Sequence, residues 1–315
     1  MQENKEEIEY LVGRERMVRA GGIDLWAEEF GDPDHPAVLL VMGAQAQGVQ
    51  WNDGIVRRLV GGGRRVIRYD HRDTGRSSTV DFADQPYTVA DMASDALAVL
   101  DGFGVERAHV VGASLGGVIG QRLAVTHPHR VLTLTSLSSQ PLGTDTAAAV
   151  QRAMEGAPAL DGELPPPKPE LLAALVSAFP EPGAGLEGYL AARLPLWRVL
   201  HGPVLPFHED EYRAMERRVY ERARDLRAGL NHTLAGAAPV GSTAELASVT
   251  APTLVLHGTE DPMFPPAHAE ATATAVPGAR LVMIEGMGHT LPAALDDRLA
   301  EEILRHTGKA PGATA

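Results

Sequence analysis

Val110-Val111-Gly112-Ala113-Ser114-Leu115-Gly116-Gly117 is the stretch on which the reading of this chain turns. The apolar run Ala108-His109-Val110-Val111 leads into it as a strand of buried type. Residues 115–130 follow with helical periodicity and small residues on the face that would meet a sheet. Gly112 and Gly116 stand two residues either side of Ser114, where a backbone bending tightly from strand into helix leaves no room for side chains. Ser114 is thereby placed at the tip of an elbow, as a candidate nucleophile, with the N-terminal amides of the helix pointing at the same spot. A Gly-x-Ser-x-Gly pattern arises by chance often enough that the rest of the chain has to support it.

Two later strands do so. Thr253-Leu254-Val255-Leu256 runs out through His257-Gly258-Thr259-Glu260 to Asp261-Pro262. Arg280-Leu281-Val282-Met283-Ile284 runs out through Glu285-Gly286-Met287-Gly288 to His289. Ser114, Asp261 and His289 therefore each fall just beyond the carboxyl end of a predicted strand, where open α/β sheets bind ligands, in the chain order serine, acid, histidine. Glu260, Asp296 and Asp297 are rivals to Asp261, which is preferred because it closes its loop directly before a rigid proline. Among 12 histidines, His289 alone follows the last predicted strand in a Gly-x-Gly-His loop; His71, His109, His127, His129 and His257 read as structural or surface residues. Each of the three has a plain alternative, as a helix-packing serine, a turn cap or a chance histidine, but these leave their shared position unexplained.

A serine hydroxyl is a poor nucleophile until a base takes its proton, so His289 is expected to remove it and return it to the leaving group, with Asp261 orienting the imidazole. The oxyanion that forms needs preorganised donors. The backbone amide of Leu115, at the helix start, is one, and that of Ala44, just after the strand at 37–42, is the expected other. This chemistry requires no metal and no organic cofactor. The charged run Asp70, Arg72 and Asp73, between a strand and Gly75, reads as a structural loop buttressing the nucleophile.

With 315 residues, 44% of them hydrophobic, the chain suits one α/β domain with an insertion better than two domains. A net charge of −13 and the lack of any basic stripe argue against nucleic acid or an anionic membrane as partner. With 0 cysteines, disulfides and thiol catalysis are excluded. Residues 1–10 are acidic and lack the features of a signal peptide, and no apolar run approaches a membrane span, so a cytoplasmic protein is expected, as monomer or homodimer.

A hairpin is predicted over 17–20 and 23–30, turning at Gly21-Gly22, after a frayed lead-in at 1–15. Strands at 37–42, 65–69 and 131–137 and helices at 51–60 and 89–100 continue a βαβ alternation. Between 139 and 240 buried strands give way to helical stretches, at 147–155, 170–179, 187–194 and 210–228, broken by proline and glycine. The chain thus divides into a core at 1–138 and 241–315 and a helical cap insertion at 139–240. Leu175, Phe179, Leu190, Leu194, Trp197, Phe207, Tyr212 and Met215 either line an apolar pocket over Ser114 or pack the cap's own core.

From Ile23 to about Thr307 the sequence resembles the α/β-hydrolase superfamily, and within it the aclacinomycin (anthracycline) methylesterases of aromatic polyketide biosynthesis. The runs that carry the resemblance are Phe30-Gly31-Asp32-Pro33, Leu40-Val41-Met42-Gly43, Val66-Ile67-Arg68-Tyr69-Asp70-His71-Arg72-Asp73-Thr74-Gly75-Arg76-Ser77, Ala108-His109-Val110-Val111-Gly112 and Gly286-Met287-Gly288-His289. In the cap they are Trp197-Arg198-Val199-Leu200 and Val204-Leu205-Pro206-Phe207. The resemblance implies an α/β-hydrolase fold, with a mostly parallel central sheet flanked by helices and an inserted helical cap. It implies Ser114, Asp261 and His289 as the triad and Ala44 and Leu115 as oxyanion positions. The implied reaction hydrolyses a methoxycarbonyl group on a tetracyclic polyketide to the acid and methanol. Ala44 stands where such enzymes often have glycine, and Gln45-Ala46-Gln47 departs from the family pattern; Gln45, Trp197 and Phe207 are the expected substrate-binding residues. The same triad also serves general carboxylesterases, lactonases and carbon–carbon bond hydrolases, and a small-molecule-binding module could keep the pocket without turnover. Dehalogenases and epoxide hydrolases of this fold carry aspartate in place of the elbow serine, so Ser114 argues against them.

Overall fold

Apolar strands without alternation need cover on both faces, and the strands of this chain are arranged accordingly. The computed structural model describes residues 10–178, 183–237 and 240–308; the acidic start through residue 9 and Phe179 lie outside them. β1 (Arg14–Ala20) and β2 (Ile23–Phe30) form an antiparallel hairpin through Gly21 and Gly22, both at positive φ. Arg14 and Glu15 belong to its first strand rather than to a frayed lead-in, because Glu28 and Glu29 across the ladder pair with them. There follow β3 (Ala37–Val41), α1 (Asp53–Gly61), β4 (Arg65–Tyr69), α2 (Val89–Gly102), β5 (Ala108–Ala113), α3 (Leu115–Thr126) and β6 (Val131–Leu137). Next come α4 (Thr146–Met154), α5 (Pro169–Val176), α6 (Gly185–His201), α7 (Glu209–Arg222) and α8 (Asn231–Ala235), then β7 (Thr253–Gly258), α9 (Ala267–Ala275), β8 (Arg280–Ile284) and α10 (Asp296–Thr307).

The strands form one 8-stranded sheet in the order β1-β2-β4-β3-β5-β6-β7-β8. β1 and β2 are antiparallel to their neighbours, and the pairs from β4 to β8 are parallel. Side-chain alternation along β3 sorts the two faces. Leu39 and Val41 join Met92, Val99, Ile119 and Leu123 under α2 and α3, and Val38 and Leu40 join Ile55, Leu59, Leu299 and Ile303 under α1 and α10. Between β6 and β7 the described residues contain helices and turns and no strand.

Three helix ends depart furthest from the sequence expectation, each for a local reason. α3 stops at Thr126 because Pro128 pushes His127 out of the helical region, to φ −134 and ψ 54, and a 3-10 turn carries Pro128–Arg130. α6 continues through Pro195 to His201 because buried Leu196 and Leu200 hold its second half; the proline forfeits one helical hydrogen bond without ending the helix. α7 ends at Arg222, where Ala223 turns extended. α10 follows a 3-10 turn at residues 293–295. α9, whose small residues give almost no amphipathic signal, had no counterpart in the sequence reading.

Candidate active site

Ser114 sits at φ +54 and ψ −120, a conformation that disfavours any residue with a Cβ, between the last residue of β5 and the first of α3. The elbow closes only because its glycines have no side chains. A Cβ on Gly112 would lie 2.0 Å from the Gly116 carbonyl oxygen, and one on Gly116 would lie 2.1 Å from that of Val41. The strain therefore lifts one hydroxyl out of the sheet's carboxyl edge.

The loops after β7 and β8 meet it there. The Ser114 hydroxyl lies 3.1 Å from His289 Nε2, and His289 Nδ1 lies 2.8 Å from Asp261 Oδ2. With Asp261 ionised, Nδ1–H donates to the carboxylate and Nε2 is left to accept from the serine. Asp261 is fully buried, which works against its charge. Attraction and hydrogen bonding to His289, the nearby His257 and the backbone N–H groups of Met263 and Phe264, each 2.9 Å from Oδ1, outweigh that cost and hold the carboxyl below its ordinary range. A proton can thus pass from serine to imidazole while a fixed anion stands behind the ring. Two of the rivals are engaged elsewhere: Asp296 accepts from Asn52, and Asp297 pairs with Arg58 on the surface.

The loop after β3 forms the facing wall. Gly43 passes so close that a Cβ there would lie 3.2 Å from Ser114 Cβ. The backbone N–H groups of Ala44 and Leu115 have no acceptor among the described residues. Two uncommitted donors beside a nucleophile are what a developing oxyanion requires. Asp70, Arg72 and Asp73 make structural contacts, but with this loop, α2 and the segment after α7 rather than with the elbow; Arg72 pairs with Asp95. Asp70 accepts from Gly48 N–H and from Arg222, and Asp73 accepts from Tyr87 and Asn231.

Over these groups lies an open-mouthed cavity with about 1050 Å³ of empty space, its mouth included. Gln45, Leu175, Trp197, Tyr212 and Met215 line it. Phe207 does not: it stacks on Tyr212 at 4.7 Å and lies behind it, with Leu190 and Leu194, in the small core between α6 and α7. Arg193, Leu196 and Leu200 from α6, with Asn52, Ser138 and Met263, also line the cavity, a role the sequence reading did not assign to them. Arg193, Leu196, Trp197 and Leu200 recur at helical spacing, so the stripe becomes legible once α6 is carried through Pro195. Beneath it the buried Glu216 carboxylate accepts from Tyr189 at 2.7 Å, from Arg193 at 3.0 Å and from the Trp197 indole N–H. Among the described residues no group of three His, Cys, Asp or Glu side chains is placed to hold a metal ion, and no helix is long and apolar enough to cross a membrane.

The family model described as "alpha/beta hydrolase fold" matches residues 36–292. The chain is 43% identical to the rhodomycin D methylesterase DnrP of Streptomyces peucetius, over 93% of this chain and 97% of that one. It is 42% identical, over the same shares, to the rhodomycin D methylesterase DauP of Streptomyces sp. (strain C5). Among solved structures, a hydrolase from Pseudomonas aeruginosa PA01 is 26% identical, with a TM-score of 0.67 over 94% of this chain and 99% of that one. The chain belongs to the α/β-hydrolase fold family, in the branch that holds the two rhodomycin D methylesterases.

Proposed function

We propose that this protein is a serine esterase that hydrolyses a methyl ester carried on a polycyclic, anthracycline-like polyketide, giving the acid and methanol. Ser114 attacks the ester carbonyl as His289 takes its proton, and Asp261 holds the imidazole and stabilises its cation. The Ala44 and Leu115 amides receive the oxyanion, methanol leaves with the proton from His289, and water activated by the same ring releases the acid. Residues 139–240 act as a cap whose Trp197, with Gln45 from the core, faces the aromatic rings. The partner is this small molecule, not nucleic acid, and the protein works in the cytoplasm as monomer or homodimer.

The observation that carries the reading is near full-length likeness to two methylesterases combined with the Ser114–His289–Asp261 hydrogen-bond chain under an apolar roof. The test incubates purified protein with an anthracycline methyl ester and with p-nitrophenyl acetate, following methanol and acid beside a Ser114→Ala control. Turnover of the polycyclic ester that vanishes in the control is expected. Turnover of p-nitrophenyl acetate alone would leave a general esterase, and turnover of neither would favour a binding module.

A further inference from the structure

Two buried imidazoles hold the two ends of the loop that carries the Ala44 amide. His71, just past β4, donates its Nε2–H to the Met42 carbonyl at 2.8 Å. His232, on α8, accepts the Gln45 backbone N–H at Nδ1, 2.9 Å away, and donates its Nε2–H to the Arg72 carbonyl at 2.8 Å. The rings meet edge to face, with centroids 5.6 Å apart, and both residues are almost fully buried. Burial keeps both neutral, with pKa values lowered to about 4 for His71 and about 3 for His232. Only the neutral ring of His232 offers a lone pair to Gln45; a protonated Nδ1 would present a second donor to a donor.

The placement matters because peptide groups are rigid planes. The Met42 carbonyl belongs to the peptide joining residues 42 and 43, and the Gln45 N–H to the one joining 44 and 45. The imidazoles therefore fix the two planes that flank the 43–44 peptide, whose N–H is that of Ala44. Gln45 is also held at φ +65, a strained conformation for a residue with a Cβ, and the 3-10 turn just before α8 closes on it so tightly that a Cβ on Gly229 would lie 3.1 Å from Gln45 Cα. Such strain persists only where surroundings over-determine it. One half of the grip comes from the stretch between β6 and β7, so the insertion supplies part of the oxyanion machinery as well as the roof.

We propose that His71 and His232 are positioning residues that aim the Ala44 N–H at the oxyanion, with the unprotonated Nδ1 of His232 as the essential acceptor. This rests on the esterase reading above. The test compares wild type, His232→Ala and His232→Gln, whose amide oxygen can take over as acceptor. Three quantities are read: kcat and KM on p-nitrophenyl acetate, inhibition by phenylboronic acid, which forms a tetrahedral adduct on a serine hydroxyl, and hydrogen exchange at the Gln45 amide. In His232→Ala, kcat should fall about 10- to 100-fold, somewhat less than the loss of a whole donor, while KM stays within about twofold. Boronate inhibition should weaken by a factor similar to that in kcat, and Gln45 exchange should quicken. His232→Gln should recover most of each.

Equal behaviour of the Ala and Gln variants, or a kcat loss with unchanged boronate inhibition, would overturn the proposal. Should His232→Ala not fold, His71→Ala against His71→Gln, whose amide N–H can replace the donor to the Met42 carbonyl, gives the same comparison from the other end of the loop. If wild type hydrolyses neither ester, the esterase reading fails by itself. Gln45 exchange still decides the grip: protection lost in His232→Ala and kept in His232→Gln supports it, and an unprotected amide in wild type refutes it.

Discussion

The backbone N–H of His289 donates to the carbonyl of Leu200, 2.6 Å away, so the last turn of α6 holds the main chain of the residue whose imidazole faces Ser114. The same helix lines the cavity through Arg193, Leu196 and Trp197, and its C-terminal carbonyls bring the negative end of a helix dipole towards the ring proposed above as the base. Roof and base are thus one mechanical unit.

Gly288 makes that contact possible, since a Cβ there would lie 2.3 Å from the Leu200 oxygen and 2.4 Å from that of His201. Gly288→Ala must push α6 and the His289 loop apart. A displacement near 1 Å costs on the order of 100-fold in rate, so kcat should fall by about 10- to 100-fold in a protein that still folds. Steady-state kinetics with a thermal melt read both, and an unchanged kcat would mean the loop yields without moving the imidazole.

Asp261→Asn isolates the role of the buried carboxylate. The asparagine oxygen can still accept from Met263 and Phe264, which leaves its NH2 facing His289 Nδ1 and forces the proton onto Nε2, where the serine needs an acceptor. A fall in kcat of about 10³- to 10⁴-fold, with KM little changed, is the expected result. A loss under tenfold would mean that His289 keeps its tautomer without Asp261.

The sheet was legible because its signals are local. Arg65–Tyr69, Val131–Leu137 and Arg280–Ile284 are apolar runs bounded by turn residues, and their observed limits are those expected. Ser114, Asp261 and His289 could be singled out for a related reason, since an elbow, a proline stop and a glycine-flanked histidine mark positions in the chain itself. The cavity wall was not legible in that way. Whether Phe207 faces the substrate or stacks behind Tyr212 depends on how α6 and α7 cross, which no local pattern states. His232 was invisible for the same reason: its partner Gln45 is 187 residues away, and a lone histidine in a short helix carries no mark of the loop it holds.

The stripe on α6 should set selectivity. Leu196 is nearly buried and lines the cavity, so Leu196→Trp fills space that a polycyclic substrate needs and a small ester does not. Overpacking of this kind costs about 1–3 kcal/mol of stability. Expected is a fall of at least about tenfold in kcat/KM for the anthracycline ester, with p-nitrophenyl acetate within about twofold; equal losses on both esters would place Leu196 outside the substrate's path.

Acid should unfold this protein early, and the buried histidines give the sign. In the folded chain His71, His109 and His232 have pKa values lowered by burial to about 4, about 4 and about 3, whereas in the unfolded chain each titrates near the ordinary histidine value, about 6.5. Between those limits the unfolded state binds more protons, so stability is full above about pH 6.5 and is lost as pH falls towards 4. The loss per histidine approaches about 1.4 kcal/mol per pH unit. Urea midpoints measured from pH 7 to pH 4.5 should fall accordingly. His109 provides the control, because it lies in β5 against Thr133, far along the strand from Ser114. His109→Asn should flatten the slope by about one histidine's share and leave kcat unchanged. A slope unaltered by that substitution would mean that the His109 imidazole already takes up its proton inside the folded sheet.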